Sequence, residues 1–434
     1  MRPLLLNYPS LILAALLGLA LEVAQAGPLI TGREIQAASI SANTPQAEEY
    51  RTGIQEQLSG NTEAAKEHFD ASLKIDPAYA PALIGLAAVA QSQGSLEQAE
   101  IHLKEAERVS PRAPEVHLAW GRFHLSKNDV ASAETSFRAS HDLAPGQIPP
   151  LLELGDLYMT LSGRTVDAMQ AYQDAVTIDA NNGFAQYGLG VAAAANGSRS
   201  VAMNALGRAA EIVTDDPGPH RIMGLLYMAD GKPEEALAAF DAGLARLPTF
   251  VPIKLDRADA LGRLGRFDEA VAQLEDAEKQ VPEAGEIKTK LGDVHQAAGR
   301  WMEAEKYYLQ AIELAPENPI AYNNVAWMTV ESKGDPGKAV EWAQEAVKLS
   351  PSSSPFHDTL GWAQQFADNM EGAVESYKRA IELEPEVAGY HYHLGMVQAE
   401  LKQPAEARAS LERALQLDDD VPEAYEARQL LQTL

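Results

Sequence analysis

The sequence contains no cysteine among its 434 residues. Disulfide bonds, thiol catalysis and cysteine-ligated zinc or iron–sulfur sites are therefore excluded. Attachment to a membrane through a lipidated cysteine is excluded for the same reason. The scarcity of aromatic residues, 6% of the chain, leaves alanine to do much of the packing.

Basic residues are also few, with 35 Lys and Arg against 62 Asp and Glu and a formal net charge of −27. Nucleic-acid binding is disfavoured, because contacts to phosphates need a basic stripe. Electrostatic docking on an anionic membrane surface is disfavoured as well. The charge suits basic partners or divalent cations, although net charge bears more directly on solubility.

The first 26 residues have the pattern of a cleaved secretory signal. Arg2 supplies a minimal basic region, Leu11 to Leu21 is apolar, and Ala24-Gln25-Ala26 is a small-residue cleavage site. The alternative is an uncleaved anchor, but the apolar stretch is too short to span a bilayer. We expect a periplasmic or secreted protein with no stable membrane insertion after cleavage. The absence of cysteine fits an oxidising compartment such as a bacterial periplasm.

A unit of about 34 residues repeats after residue 45, and it is clearest from Gly285 to Asn318. It contains two short amphipathic helices, which cannot bury their apolar faces alone and must stack on further copies. Prolines recur at this spacing at Pro77, Pro111 and Pro145, at Pro248, Pro282 and Pro316, and at Pro351 and Pro385. Leu-Gly recurs on the first helix at residues 154, 189, 291, 360 and 394. Alanine recurs on the second helix, for example at Ala304, Ala339, Ala373 and Ala407.

These residues resemble the tetratricopeptide repeat family, and the resemblance covers essentially everything after residue 45. It implies an all-α fold, a right-handed α-solenoid (superhelix) of helix-turn-helix repeats. We predict a flexible linker over 27–45, eleven repeats over 46–421 and a capping helix over 422–434. In the capping helix, Ala424, Leu430 and Leu431 are expected to face inward.

Glycine occurs at the turn within many repeats, where a left-handed residue would end the first helix. These glycines are Gly60, Gly94, Gly197, Gly231, Gly265 and Gly299. Asn128 and Asp368 occupy equivalent positions and are predicted to adopt the same conformation. One-residue insertions near Gly163 and Gly334 are predicted to lie in turns, which tolerate insertions.

The resemblance implies that the first helices line a concave groove. Trp327 and Trp362 occupy the same position in neighbouring repeats and should stack side by side. Aromatic, amide and hydroxyl groups in a concavity suit an extended peptide or a sugar chain, whereas the alternative is that the aromatic side chains fill space between repeats. The predicted partner-binding residues are Asn323, Asn324, Trp327, Asp358, Thr359, Trp362, Phe366, Tyr392, His393 and Met396.

Other candidate sites are weaker. The basic residues of the family's carboxylate clamp do not flank Asn323 and Asn324. His391 and His393 point apart on a helix and cannot share one metal ion, so we predict no metal and no cofactor. A second, more apolar cluster is better explained by packing; it consists of Met159, Phe184, Tyr187, Leu225 and Met228.

No HExxH, GxSxG, phosphate-loop or GxGxxG motif is present, and the repeats account for the printed chain after residue 45. We therefore predict that the protein is not an enzyme, the alternative being an active site grafted into the groove.

The stretch Asn-Asn-x-x-Trp followed by Asp358 to Trp362 (DTLGW) is similar to exported bacterial repeat proteins of exopolysaccharide and surface-protein sorting systems. We expect an exported scaffold for protein–protein interaction in envelope assembly, such as polysaccharide export, secretion or a pilus-type system. Its partners would be other envelope proteins or peptides and not nucleic acid. The alternative is a periplasmic module that binds a polysaccharide.

Overall fold

The computed structural model describes residues 44–418 and 422–434, and every element within these ranges is a helix. The all-α solenoid predicted from the sequence is confirmed. The predicted signal, residues 1–26, and the predicted linker up to residue 43 lie outside the described residues.

The 23 described helices are named α1 to α23 in chain order, and odd numbers from α1 to α21 mark the first helix of each repeat. The first helices are α1 Pro45–Leu58, α3 Ala80–Ser92, α5 Pro114–Ser126, α7 Pro149–Thr160, α9 Gly183–Ala195, α11 Gly218–Ala229, α13 Val251–Arg263, α15 Gly285–Ala297, α17 Pro319–Glu331, α19 Ser354–Phe366 and α21 Ala388–Glu400. The second helices are α2 Thr62–Ile75, α4 Leu96–Val109, α6 Val130–Leu143, α8 Thr165–Ile178, α10 Arg199–Ile212, α12 Pro233–Arg246, α14 Phe267–Glu278, α16 Trp301–Leu314, α18 Pro336–Leu349, α20 Met370–Leu383 and α22 Pro404–Leu417. The last helix is α23 Pro422–Leu431.

The described chain divides into two compact units, with the boundary inside α12. The N-terminal unit comprises residues 44–231 with Ala245–Leu247, and the C-terminal unit comprises Lys232–Leu244 with the described residues after 247. In the N-terminal unit, α1 to α10 form five hairpins that pack in succession and end on α11. In the C-terminal unit, α13 to α22 form five more hairpins, and α23 packs on the last of them. None of the described helices combines the length and apolar character needed to cross a membrane.

In several hairpins, glycine on the first helix lets an aromatic ring of the second helix reach the centre of the hairpin. Tyr308 and Tyr377 are fully buried, with 0% of each residue exposed. A Cβ atom added at Gly292 would lie 2.5 Å from the Tyr308 ring, and one at Gly361 would lie 2.7 Å from the Tyr377 ring. No real Cβ atom tolerates such distances. The recurring Leu-Gly pairs are explained by the close approach of a side chain of the second helix, a tyrosine ring at Gly155, Gly292 and Gly361 and a leucine at Gly190 and Gly395.

The turn within each repeat adopts the left-handed conformation that the sequence predicts. Gly299 has φ 71°, and Asn128 and Asp368 have φ 59° and 58°. Lys333 and Lys402, at φ 53° and 58°, share this conformation although lysine gives no sign of it in the sequence. The two predicted insertions lie in the turns between α7 and α8 and between α17 and α18.

Helix α23 covers the apolar end of the last hairpin. Ala424 and Ala427 are buried, at 2% and 1% exposure. Leu430 and Leu431 are partly buried against a cluster that includes Tyr392 and Leu411. Ala424, Leu430 and Leu431, which were predicted to face inward, therefore all pack on this end.

Candidate functional site: the open inner face of the C-terminal unit

One position on each first helix distinguishes the two units. We call it the inner position, the residue directly after the glycine or alanine that packs within the hairpin. In the C-terminal unit, helices α13 to α21 supply Asp259, Asp293, Trp327, Trp362 and Met396 at this position. In the N-terminal unit, helices α1 to α11 supply Ile54, Ala88, Arg122, Asp156, Val191 and Leu225.

The inner position is buried throughout the N-terminal unit and accessible throughout the C-terminal unit. All six N-terminal residues have at most 9% of their surface exposed. All five C-terminal residues reach solvent, and Asp293 is the most exposed of them. Side chains that could contact another molecule therefore project from the first helices of the C-terminal unit.

Three tryptophan side chains form a continuous row on this face. The ring centroids of Trp327 and Trp362 lie 6.0 Å apart at an interplanar angle of 53°. Trp301 lies 6.2 Å from Trp327 at 32° and is 47% exposed. The predicted proximity of Trp327 and Trp362 is confirmed, but the rings are tilted against each other and do not stack face to face.

Trp301 was not among the predicted residues. It begins a second helix, α16, whereas the family resemblance places only first helices along the groove. Its position directly after the turn at Gly299 and Arg300, where the chain passes from the first helix to the second, could have indicated that it lies near the groove.

The tryptophans of the first helices are half in the core and half on the surface. Trp327 packs against the cluster that contains Tyr308 and Val325. Trp362 packs against two clusters, one with Leu360 and one with Tyr377. Each indole therefore fills space between repeats and also retains some solvent exposure, so the space-filling role is observed and the binding role stays a prediction.

Polar contacts join neighbouring first helices along the same face. Lys290 Nζ binds Asp259 Oδ2 at 2.7 Å, and Asn324 Nδ2 donates to Asp293 Oδ1 at 2.9 Å. Asn323 Nδ2 lies 3.3 Å from Asn324 Oδ1. The two contacts between helices follow one rule. The residue at the inner position of one repeat binds the residue that lies three positions before the inner position of the next repeat.

Three of the predicted groove residues are buried, and the prediction that they line an accessible surface is wrong. Asp358, Thr359 and Tyr392 are 7%, 6% and 4% exposed. Asp358 Oδ1 lies 2.7 Å from His393 Nδ1, and the Tyr392 hydroxyl donates to Glu426 at 2.5 Å. The side chain of Asp358 joins α19 to α21, and that of Tyr392 joins α21 to α23, beneath the accessible face.

The remaining predicted residues are partly accessible. Asn323, Asn324, Phe366, His393 and Met396 all retain some solvent exposure. Phe366 packs beside Trp362 against the cluster of α17 and α18. The structure thus keeps seven of the ten predicted residues on the face and adds Trp301 to them.

The histidines of α21 are held by separate partners. His391 Nε2 lies 2.9 Å from the carbonyl oxygen of Pro385, whereas His393 pairs with Asp358. Within residues 44–418 and 422–434, no three His, Asp or Glu side chains converge as metal ligands would. In the N-terminal unit, Met159 and Met228 are buried as the packing interpretation requires, but Phe184 is 53% exposed.

Asp293 is the electrostatically unusual group of the face. Its carboxylate accepts a hydrogen bond from the Tyr308 hydroxyl at 2.6 Å and another from Asn324. Desolvation raises its pKa to about 6, and the charge of Asp259 adds to this, although Tyr308 and Lys290 act in the opposite direction. Part of the side chain reaches solvent, but the protein around the carboxyl group disfavours its ionised form.

Family models of the tetratricopeptide repeat match residues 255–318, 289–354 and 359–422, and a second such model matches residues 58–123. Together these matches cover more than half of the 434 residues. They include the inner position of every first helix that contributes to the open face.

Two curated relatives are similar at low identity. The cellulose synthase 1 operon protein C of Komagataeibacter xylinus is 25% identical over 238 residues, which are 51% of this chain and 18% of that protein. The human protein O-mannosyl-transferase TMTC1 is 23% identical over 213 residues, 48% of this chain and 24% of that protein. The chain therefore spans less than a quarter of the length of either relative.

Among solved structures, yeast Tom70 superimposes with a TM-score of 0.51 at 14% identity, covering 92% of this chain and 96% of Tom70. At this identity the similarity supports the fold and nothing more specific.

Proposed function

Because the chain belongs to the tetratricopeptide repeat family, whose repeats serve as scaffolds for protein–protein interaction, we propose that it is an exported scaffold that holds another protein of the bacterial envelope on the open inner face of its C-terminal unit. The binding surface in this proposal is centred on Trp327 and Trp362. Trp301 and Asp293 border it.

The observation that supports a docking surface most directly is the change in the inner position between the two units. Six buried residues in the N-terminal unit demonstrate that the fold can close this position. In the C-terminal unit the position stays open, and two successive repeats place tryptophan there. Leaving apolar ring surface in water forgoes about 25 cal/mol per Å² of burial. Aromatic side chains left accessible in this way are typical of binding hot spots.

The envelope setting is supported by two weaker observations. The first 26 residues have the pattern of a secretory signal. Two of the similar proteins are named as operon proteins of cellulose synthases in Komagataeibacter, a setting of polysaccharide export. We propose a periplasmic or secreted location on this basis. Cell fractionation and N-terminal sequencing test it, with Gly27 expected as the first residue of the mature chain.

A polysaccharide is the second candidate ligand, because accessible aromatic rings of the tryptophan row could also contact sugar rings. No catalytic role is part of either proposal. The similarity to a protein named as a mannosyl-transferase covers only 24% of that relative and does not define a reaction for this chain.

The test is co-purification from cross-linked envelopes of the native host. The double variant Trp327→Ala/Trp362→Ala should lose the specific partner that the wild-type protein retains. Leu309→Ala is the matched control, because this residue is 37% exposed on second helix α16 away from the row. An identical set of bound proteins for all three chains would refute the proposal, and loss of a bound glycan without loss of any protein would replace it with the second candidate.

A further inference from the structure

Resting on the proposed function, we infer that the bound protein contributes an extended segment that combines basic with apolar side chains. Its lysine or arginine side chains lie on the carboxylates of Asp259 and Asp293. Its aromatic or aliphatic side chains lie on Trp327 and Trp362.

The surface for this segment is a stripe of three residues on each of five first helices: the inner position, the residue three before it and the residue four after it. These positions share one helical face. All except Thr359 reach solvent. The stripe consists of Asp256, Asp259 and Arg263; Lys290, Asp293 and Ala297; Asn324, Trp327 and Glu331; Thr359, Trp362 and Phe366; and His393, Met396 and Glu400.

The stripe has an excess of negative charge, and its tryptophans follow its aspartates along the unit. Five of its side chains are carboxylates, against one lysine and one arginine. Lys290 is bound to Asp259 at 2.7 Å and its charge also acts on Asp293, but one lysine and one arginine leave the five carboxylates of the stripe in excess. Asp293 accepts hydrogen bonds from Tyr308 and Asn324, which are both uncharged donors. A cationic side chain of the ligand would complement this excess of negative charge.

The behaviour of Asp293 supports the same conclusion. Desolvation and the neighbouring charge of Asp259 raise its pKa, so its ionised form lacks sufficient compensation in the free protein. A guanidinium or ammonium group beside it would supply that compensation. The same group would also lie within reach of a tryptophan face, where a cation–π contact adds to the attraction.

The geometry of the indole rings favours a peptide over a sugar chain. Successive rings are tilted by 32° and 53°, so they present wedge-shaped gaps and no flat platform. A linear glycan stacks on faces that are nearly coplanar, whereas side chains of a peptide insert between tilted rings. First helices of neighbouring repeats lie roughly 9 Å apart, and an extended chain advances about 3.3 Å per residue. About eight residues therefore reach from α13 to α19.

The experiment is selection from a random peptide library displayed on phage, with the purified protein as target. Three targets are compared: the wild type, the double variant Asp259→Asn/Asp293→Asn and the double variant Glu305→Gln/Glu313→Gln. The last variant also removes two negative charges, but from exposed positions of second helix α16. We expect peptides enriched in Lys or Arg together with Trp, Phe or Leu on the wild type and on the Glu double variant. The basic residues should lose their enrichment on the Asp double variant.

One enriched peptide is then synthesised, and its Kd is measured by calorimetry for the wild type and for the variants Asp293→Asn, Glu305→Gln and Trp327→Ala/Trp362→Ala. Asp293→Asn should weaken binding about three- to tenfold, the range for one partly exposed charge pair, while Glu305→Gln should change it by less than about twofold. Raising the salt concentration should weaken wild-type binding and have less effect on the Asp293→Asn protein.

The outcomes separate this inference from the proposed function. Enriched peptides without basic residues, whose binding requires Trp362 but not Asp293, would overturn the inference and leave the docking face intact. Peptides that bind equally well to Trp327→Ala/Trp362→Ala, or no enriched peptide on any target, would contradict the docking face and the inference together.

Discussion

The hydroxyl group of Tyr308 donates a hydrogen bond to Asp293 Oδ1 at 2.6 Å. Tyr308 is fully buried at the centre of its hairpin, whereas Asp293 is exposed at the inner position of the same repeat. The ring that fills the space above Gly292 thus also orients a carboxylate on the open face. Packing within the hairpin and the chemistry of the candidate surface are linked through this one side chain.

The raised pKa of Asp293 predicts a pH-dependent effect of Asp293→Asn. Well below the ordinary pKa of 3.8 the carboxyl group is protonated in the folded and the unfolded protein, so its ionisation costs nothing. As the pH rises from 3.8 to about 6, the unfolded chain ionises first, and the folded state loses stability. We expect Asn to stabilise the protein by about 1 kcal/mol at pH 7.5, less than the full pKa shift implies because the side chain is partly in solvent, and by only a small fraction of that at pH 4.

Urea unfolding at the two pH values measures this difference. Glu305→Gln, an exposed residue of α16, serves as the control and should behave like the wild type at both pH values. A variant that is destabilised at pH 7.5 would mean that the carboxylate is well compensated where it lies.

Adding one methyl group in the hairpin should have opposite effects at two glycines. Gly361→Ala would bring its Cβ atom to 2.7 Å from the Tyr377 ring and should destabilise the fold by about 1–3 kcal/mol. Gly207→Ala lies within α10, where an added Cβ meets nothing within 4 Å, and should stabilise by about 0.5–1 kcal/mol. Thermal unfolding followed by circular dichroism compares them, and equal melting temperatures would contradict the packing role of Gly361.

The ion pair between an inner position and the next repeat should contribute more to the free energy of unfolding in the N-terminal unit than in the C-terminal unit. Arg122 binds Glu153 at 2.8 Å with 3% and 12% of the side chains exposed, whereas Lys290 and Asp259 keep 21% and 25%. Glu153→Gln removes the charge of Glu153 from a buried guanidinium and should cost about 3 kcal/mol. Asp259→Asn should cost less than about 1 kcal/mol.

Hydrogen exchange is the suitable measurement for this pair, because hairpins of a solenoid open locally. Glu153→Gln should speed exchange in α5 to α7, and Asp259→Asn should leave α13 to α15 nearly unchanged. Similar acceleration in both segments would mean that burial does not decide the strength of these pairs.

The helices and their turns could be predicted because proline, glycine and alanine mark them at a regular spacing. Pro316 and Gly299 bound α16, and Ala304 faces the core between them. The left-handed residues were predictable where they are glycine, asparagine or aspartate. Lys333 and Lys402 were not, since lysine has no intrinsic preference for that conformation and is held there by the helices on either side.

The openness of the inner position could not be predicted from the sequence. Arg122 and Asp259 are both charged and occupy the same position, yet one is buried and the other is accessible. Burial there depends on how closely successive repeats pack, which involves side chains from several helices at once. For the same reason, Asp358 was expected on the surface and lies beneath it, where His393 binds it.

The order of the five inner positions has a further consequence. From α13 to α21 they run Asp, Asp, Trp, Trp and Met, so the two ends of the row differ in chemistry. A chain laid along the row from its N-terminus to its C-terminus meets these groups in one sequence, and the same chain turned end for end meets them in the opposite one. The row is therefore polar, and it selects the orientation as well as the composition of a ligand.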